Sequence, residues 1–102
     1  MSIVKDILKD EKERLNLLKK QLEKQISPLP KGSLSKKRRN NRFYYYLAYR
    51  KGRKVIFKYV GKEKSSQVIS LREDIQKRRK LEKRLRSIKR DLKEINRGIG
   101  ER

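Results

Sequence analysis

Five cations, Lys36, Lys37, Arg38, Arg39 and Arg42, stand within seven residues, with Asn40 and Asn41 between them. Ammonium and guanidinium groups at this density bind a polyanion by displacing its condensed counterions, so the segment reads as a footprint for phosphates. Arg50, Lys51, Arg53, Lys54 and Lys58 extend the same charge along the chain, and all five tyrosines (44, 45, 46, 49 and 59) lie among these cations. Their rings have the shape to stack on bases. The alternative for the cations alone is a solvated fringe that keeps a sheet edge from pairing with another chain. Charge balance favours the phosphate reading: residues 31–64 carry 13 basic side chains and 1 acidic one, net +12, against +2 over 1–30 and +7 over 65–97. Repulsion of that size in one segment calls for a polyanionic partner.

Other chemistries fall away for lack of groups. With no Cys and no His, the usual zinc ligand sets, thiol nucleophiles and the commonest general base are missing. Glu73 and Asp74 are isolated acids on a charged stretch, and Glu63 is the sole carboxylate of residues 31–64. A tyrosine nucleophile inside an arginine cluster would need an oriented, buried constellation that a small core cannot fix. No catalytic residue, metal ligand or cofactor is expected. A second basic run, Lys77-Arg78-Arg79-Lys80 with Lys83, Arg84, Arg86, Lys89 and Arg90, has Glu82, Asp91 and Glu94 at helical spacing and reads mainly as a solvated face.

The elements that must position these groups follow from the period of the apolar residues. The chain has 102 residues, 33% hydrophobic and 44% charged, enough for one small domain with helical arms. Residues 1–27 read as an amphipathic helix whose stripe is Val4, Leu8, Leu15, Leu18, Leu22 and Ile26, interrupted at Glu11 and Lys12. Pro28 and Pro30 end it.

Residues 28–64 read as a basic β head of three strands, near 33–37, 43–49 and 55–60, with a polar turn at Arg38-Arg39-Asn40-Asn41. A second turn centred on Lys51-Gly52 would set Ala48 opposite Val55, Tyr46 opposite Phe57 and Tyr44 opposite Tyr59, on a face expected to be core. Tyr45, Tyr49, Lys54 and Lys58 would then share the other, mixed face and meet the ligand.

Residues 65–102 read as a long helix capped near Ser65 or Ser66, with a capping box at Ser70 as the alternative. A heptad frame places Leu71, Arg78, Leu85, Leu92 and Ile99 at a and Asp74, Leu81, Ile88 and Ile95 at d, with Asp74 and Arg78 spaced to pair. Val68 and Ile75 would face the sheet. The expected fold is α+β: an N-terminal helix, a small three-stranded antiparallel sheet and a long C-terminal helix, the helices forming an antiparallel coiled-coil-like pair with the sheet at its tip. Zipping of the second helix onto a second copy is the alternative.

The run Gly32-Ser33-Leu34-Ser35-Lys36-Lys37, with residues 42–50 and 54–61 after it, resembles the AP2-like, arm-type DNA-binding domain of tyrosine recombinases. It is similar too to short uncharacterised prokaryotic proteins with a tyrosine-rich hairpin and a charged helix. The resemblance covers about thirty residues and implies a sheet laid in the major groove with a helix on its back, the groove-facing positions being Tyr45, Tyr49, Lys54 and Lys58. The chain departs from that pattern in having a helix before the sheet and a longer one after it. The expectation is a non-catalytic nucleic-acid-binding protein that favours duplex DNA over RNA. Its contacts would be Lys36, Lys37, Arg38, Arg39, Arg42, Tyr45, Tyr49, Arg50, Lys51, Arg53, Lys54 and Lys58. The competing expectation is a helical adaptor of a larger complex, RNA- or ribosome-associated, that meets a protein partner or a second copy through its helices. No apolar run is long enough to span a membrane, and the chain is expected to be cytoplasmic.

Overall fold

The computed structural model describes residues 3–100. In chain order these form α1 (Ile3–Ile26), β1 (Ser33–Arg39), β2 (Arg42–Lys51), β3 (Lys54–Lys62) and α2 (Ser66–Ile99). The chain divides into two compact units: α1 with the part of α2 from Lys80 onward, and residues 29–79.

In the first unit the apolar stripes of the two helices meet. Leu15, Leu22 and Ile26 of α1 are buried together with Ile88, Leu92 and Ile95 of α2, and Leu8, Leu18, Leu81, Leu85 and Ile99 pack against them. The helices run antiparallel, since a Cβ placed on Gly98, near the end of α2, would come within 2.9 Å of Leu8 near the start of α1. Burial drives the pairing: most of a helix's stability in a protein comes from packing its apolar face, and each buried aliphatic contributes ~1.5–3 kcal/mol. At the interruption in the α1 stripe, Arg14 Nε donates to Glu11 Oε2 at 2.9 Å. That hydrogen bond, with the guanidinium charge behind it, holds the Glu11 carboxyl below its ordinary pKa.

In the second unit the sheet has the order β1-β2-β3, antiparallel throughout. β1 extends through Arg38 and Arg39, two residues beyond the expected strand end, because the connection to β2 is a two-residue turn of Asn40 (φ 50°) and Asn41 (φ 64°). Two successive positive φ angles define a type I′ hairpin, which Asn tolerates. Arg38 Nη2 donates to Asn41 Oδ1 at 2.7 Å across it.

The second hairpin differs from the expected register. Its central pair is Gly52-Arg53, flanked by Lys51 opposite Lys54. Of that pair only Gly52 has a positive φ, 62°, the pattern of a type II′ turn, whose first position favours Gly. β3 therefore slides by two residues, and Arg50 faces Val55, Ala48 faces Phe57 and Tyr46 faces Tyr59. A slide of two preserves which residues share a face. Beyond Tyr59 a β-bulge leaves Val60 as the extra residue, so Tyr45 pairs with Gly61 and Tyr44 with Lys62.

The two faces have exchanged roles relative to the expectation. Tyr45, expected to meet the ligand, is buried at 8% exposure, whereas Phe57 and Tyr59, expected in the core, are 49% and 53% exposed. The covering element is the first part of α2. Its Val68 and Ile75 are buried, the Arg72 guanidinium lies 5.4 Å from the Tyr45 ring centre, and Leu34 lines a cleft with Arg72 and Ile75. Leu34 stands opposite Leu47 in the register. This face of Leu34, Tyr45, Leu47, Tyr49 and Ile56 is the one α2 needs to hide its own apolar turn.

The start of α2 is set by Ser65, whose Oγ accepts from Val68 N–H at 3.4 Å and whose carbonyl accepts from Ile69 N–H. That is the N-cap arrangement, and Ser70 lies inside the helix. Arg78, expected to pair with Asp74, sends Nη1 to the Leu29 carbonyl. It so supplies a donor to a linker residue that has no helix or strand partner.

Candidate nucleic-acid interface

The open face of the sheet is built by alternation. Strand residues two apart point the same way, so β1 presents Ser33, Ser35, Lys37 and Arg39, and β2 presents Arg42, Tyr44, Tyr46, Ala48 and Arg50. β3 adds Val55, Phe57 and Tyr59, and the bulge brings Lys62 to this side beside Tyr44. In the middle is a cluster of rings: Tyr46 and Tyr59 have centroids 5.5 Å apart in an edge-to-face arrangement, and Tyr44 lies 6.4 Å from Tyr59. The Lys37 ammonium stands over it, 4.3 Å from the Phe57 centroid and 5.0 Å from that of Tyr46. Arg39, Asn40, Tyr44, Tyr46 and Tyr59 line a shallow cleft at the end near the first hairpin.

Among the described residues no carboxylate belongs to this face by register. Glu63, the sole acid of the segment, lies 3.5 Å from the Lys36 ammonium, which is on the opposite side of β1. Glu63 also lines an edge cleft with Arg42 and Lys62; over the rest of the face the cations create a positive field above a wettable aromatic surface. Such a surface offers phosphates a charge and planar groups a stacking partner.

Residues 8–69, more than half of the chain, match the domain of unknown function DUF6788. The chain belongs to the DUF6788 family. The DUF6788 match begins within α1, takes in the whole sheet and ends in the first turn of α2, so every residue of the open face falls inside it. No curated protein and no solved structure matches the chain.

Within this DUF6788 sheet the residues expected as contacts separate. Lys37, Arg39, Arg42 and Arg50 share the open face. Lys36, Arg38, Lys51, Lys54 and Lys58 belong by register to the other face, where all five remain solvent-exposed. The Lys36 ammonium sits 4.0 Å from the Phe43 ring centre there, and long side chains of this kind lay their stems on apolar surface with the head in water. Arg53 is in the second turn, exposed. Tyr45 and Tyr49 are on the covered side, buried and half-buried respectively.

Sequence reasoning missed Tyr44, Tyr46, Phe57, Tyr59 and Lys62. A signal for the first four was present in β1: Leu34 is its one aliphatic residue, and it marks the face that must be covered, which leaves the even-numbered tyrosines of β2 outside.

Proposed function

We propose that this chain is a non-catalytic nucleic-acid-binding protein that holds the phosphate backbone against the open face of its sheet. The observation that carries the reading is the grouping of Lys37, Arg39, Arg42, Arg50 and Lys62 with four aromatic rings on one face to which, among the described residues, no carboxylate belongs by register. Hydrophobic burial does not require those rings there, because α2 covers the opposite face. The resemblance puts Tyr45, Tyr49, Lys54 and Lys58 in a duplex DNA groove; Tyr45 is buried and Tyr49 half-buried, while Lys54 and Lys58 are exposed. The groove arrangement, if used, must run through Tyr44, Tyr46 and Lys37 instead. Among the described residues no helix is long and apolar enough to cross a membrane.

The test is a titration of the whole protein with labelled nucleic acids at several salt concentrations. Counterion release predicts that log affinity falls linearly with log salt, by ~0.7–0.9 per phosphate neutralised. Affinity weaker than micromolar for duplex DNA, single strands and structured RNA alike, near physiological salt, overturns the proposal.

A second reading, the helical adaptor, draws on α1. Its Ile3, Val4 and Ile7 are 77%, 64% and 60% exposed, an apolar end that a protein partner would cover. Sedimentation of the pure protein separates the two: a monodisperse monomer that binds nucleic acid tightly counts against the adaptor.

A further inference from the structure

We infer that the ligand of the open face is single-stranded RNA, its unpaired bases laid on the rings of Tyr44, Tyr46, Phe57 and Tyr59; this rests on the nucleic-acid reading above. Duplex recognition and single-strand recognition need different side chains. Base edges in a groove are read by long hydrogen-bonding heads, chiefly Arg, Lys, Asn and Gln. The ring cluster has one such head at its centre, Lys37, whose ammonium stands over the rings of Tyr46 and Phe57 and must swing aside for a base to stack on them; Arg39 and Asn40 lie at the edge of the cluster. Everything else at the centre is ring, hydroxyl or methyl. In a duplex the base faces are closed by stacking on one another, and an aromatic ring finds only the backbone. A single strand exposes base faces and phosphates together.

The geometry suits that occupant. Tyr46 and Tyr59 have planes 69° apart at 5.5 Å, and they close two sides of the cleft lined by Arg39, Asn40 and Tyr44. A planar base stacked on one ring therefore meets the other at its edge. Phosphates on either side of the ring cluster find cations: Arg39, Arg42 and Lys62 towards the first hairpin, Arg50 at the far end of β2. Arg42 and Arg50 are eight residues apart, ~27 Å along a strand, room for several nucleotides. RNA is preferred over DNA because the face carries hydroxyls, those of Ser33, Ser35, Tyr44, Tyr46 and Tyr59. A hydroxyl both donates and accepts, which is what a ribose 2′-OH offers in return.

The chain has no Trp and five Tyr, three of them (Tyr44, Tyr46 and Tyr59) on the open face, so its intrinsic tyrosine emission reports in part on that face. The experiment titrates the full protein with a twelve-nucleotide oligo-U, the matching oligo-dT and a twelve-base-pair DNA duplex, reading tyrosine emission and the anisotropy of a labelled strand. Oligo-U is expected to quench the emission and to bind about tenfold or more tighter than the duplex. Tyr59→Leu and Phe57→Leu, both at exposed positions, are each expected to weaken oligo-U binding about tenfold and to leave duplex binding within about twofold, with thermal melts confirming that both variants fold. Duplex binding as tight as oligo-U, or ring variants that bind like the parent, overturns the single-strand inference and leaves the nucleic-acid reading standing. Oligo-dT binding as tightly as oligo-U overturns the choice of RNA. Failure to bind any of the three overturns both readings together.

Discussion

Lys37 reaches from β1 across the central strand to place its ammonium 4.3 Å from the centre of the Phe57 ring on β3. The charge is held over the aromatic cluster before any ligand arrives, at a gain of ~0.5–1 kcal/mol for an exposed cation–π contact. Replacing it with a similar uncharged chain, Lys37→Met, should lower stability by no more than ~1 kcal/mol. If a phosphate is the group it meets, the same change should flatten the salt slope by ~0.7–0.9. Urea denaturation and the salt titration read the two effects separately.

Neighbouring tyrosines should behave oppositely. Tyr45 is buried against α2, and Tyr45→Ala should cost ~3–5 kcal/mol, as for other large buried side chains. Tyr59 is half open, so Tyr59→Ala should cost little beyond its ring contacts, ~0.5–1.5 kcal/mol. Equal losses for the two in chemical denaturation would contradict the assignment of faces.

The contrast between these tyrosines also shows where the sequence stops being informative. The helix stripes, the proline stop and the three strands are local patterns, readable from spacing alone; spacing narrows the cap of α2 to Ser65 or Ser66, with Ser70 as the alternative, and the hydrogen bonds select Ser65. Which face of β2 lies inside was not, because Tyr44, Tyr46 and Ala48 alternate with Phe43, Tyr45, Leu47 and Tyr49 and both sets are apolar enough to be core. The choice is made by partners distant in sequence, Leu34 on one side and Val68 and Ile75 on the other. The second turn misled for a different reason: Lys51-Gly52 and Gly52-Arg53 both contain the glycine, and only the backbone φ angles separate them.

Cations on opposite sides of the sheet give a third test. The double variant Arg39→Gln/Arg42→Gln removes charges paired across the open face. It should reduce the salt slope by ~1.4–1.8 if both meet phosphates. Arg38→Gln/Lys58→Gln removes the same charge from the other side and should shift affinity less, with the slope changed by under half as much. Equal effects would mean that net charge alone governs binding.

A fourth concerns the junction of β3 and α2. A methyl at Gly61 would lie 2.7 Å from Ser65 Oγ and 3.6 Å from Val68 Cγ2, so Gly61→Ala should destabilise the sheet unit. Ser65→Gly removes the obstructing oxygen, and Gly at a helix N-cap costs only a few tenths of a kcal/mol relative to Ser. The double variant should therefore recover part of the loss, with a coupling of ~0.5–3 kcal/mol in a double-mutant cycle. Additive losses would show that the Gly61 strain is borne elsewhere.

Val60, the extra residue of the β3 bulge, works as a parity bit. Strand residues before it are inward or outward by odd or even number, and those after it follow the reverse rule, which is how a buried glycine at 61 and an outward lysine at 62 coexist with an outward tyrosine at 59. Two sequences of this kind aligned without a gap, one holding the extra residue and one lacking it, would match letter by letter and still disagree about which side each last letter faces. For this sheet, comparison of surface chemistry has to be counted from the bulge outward in both directions.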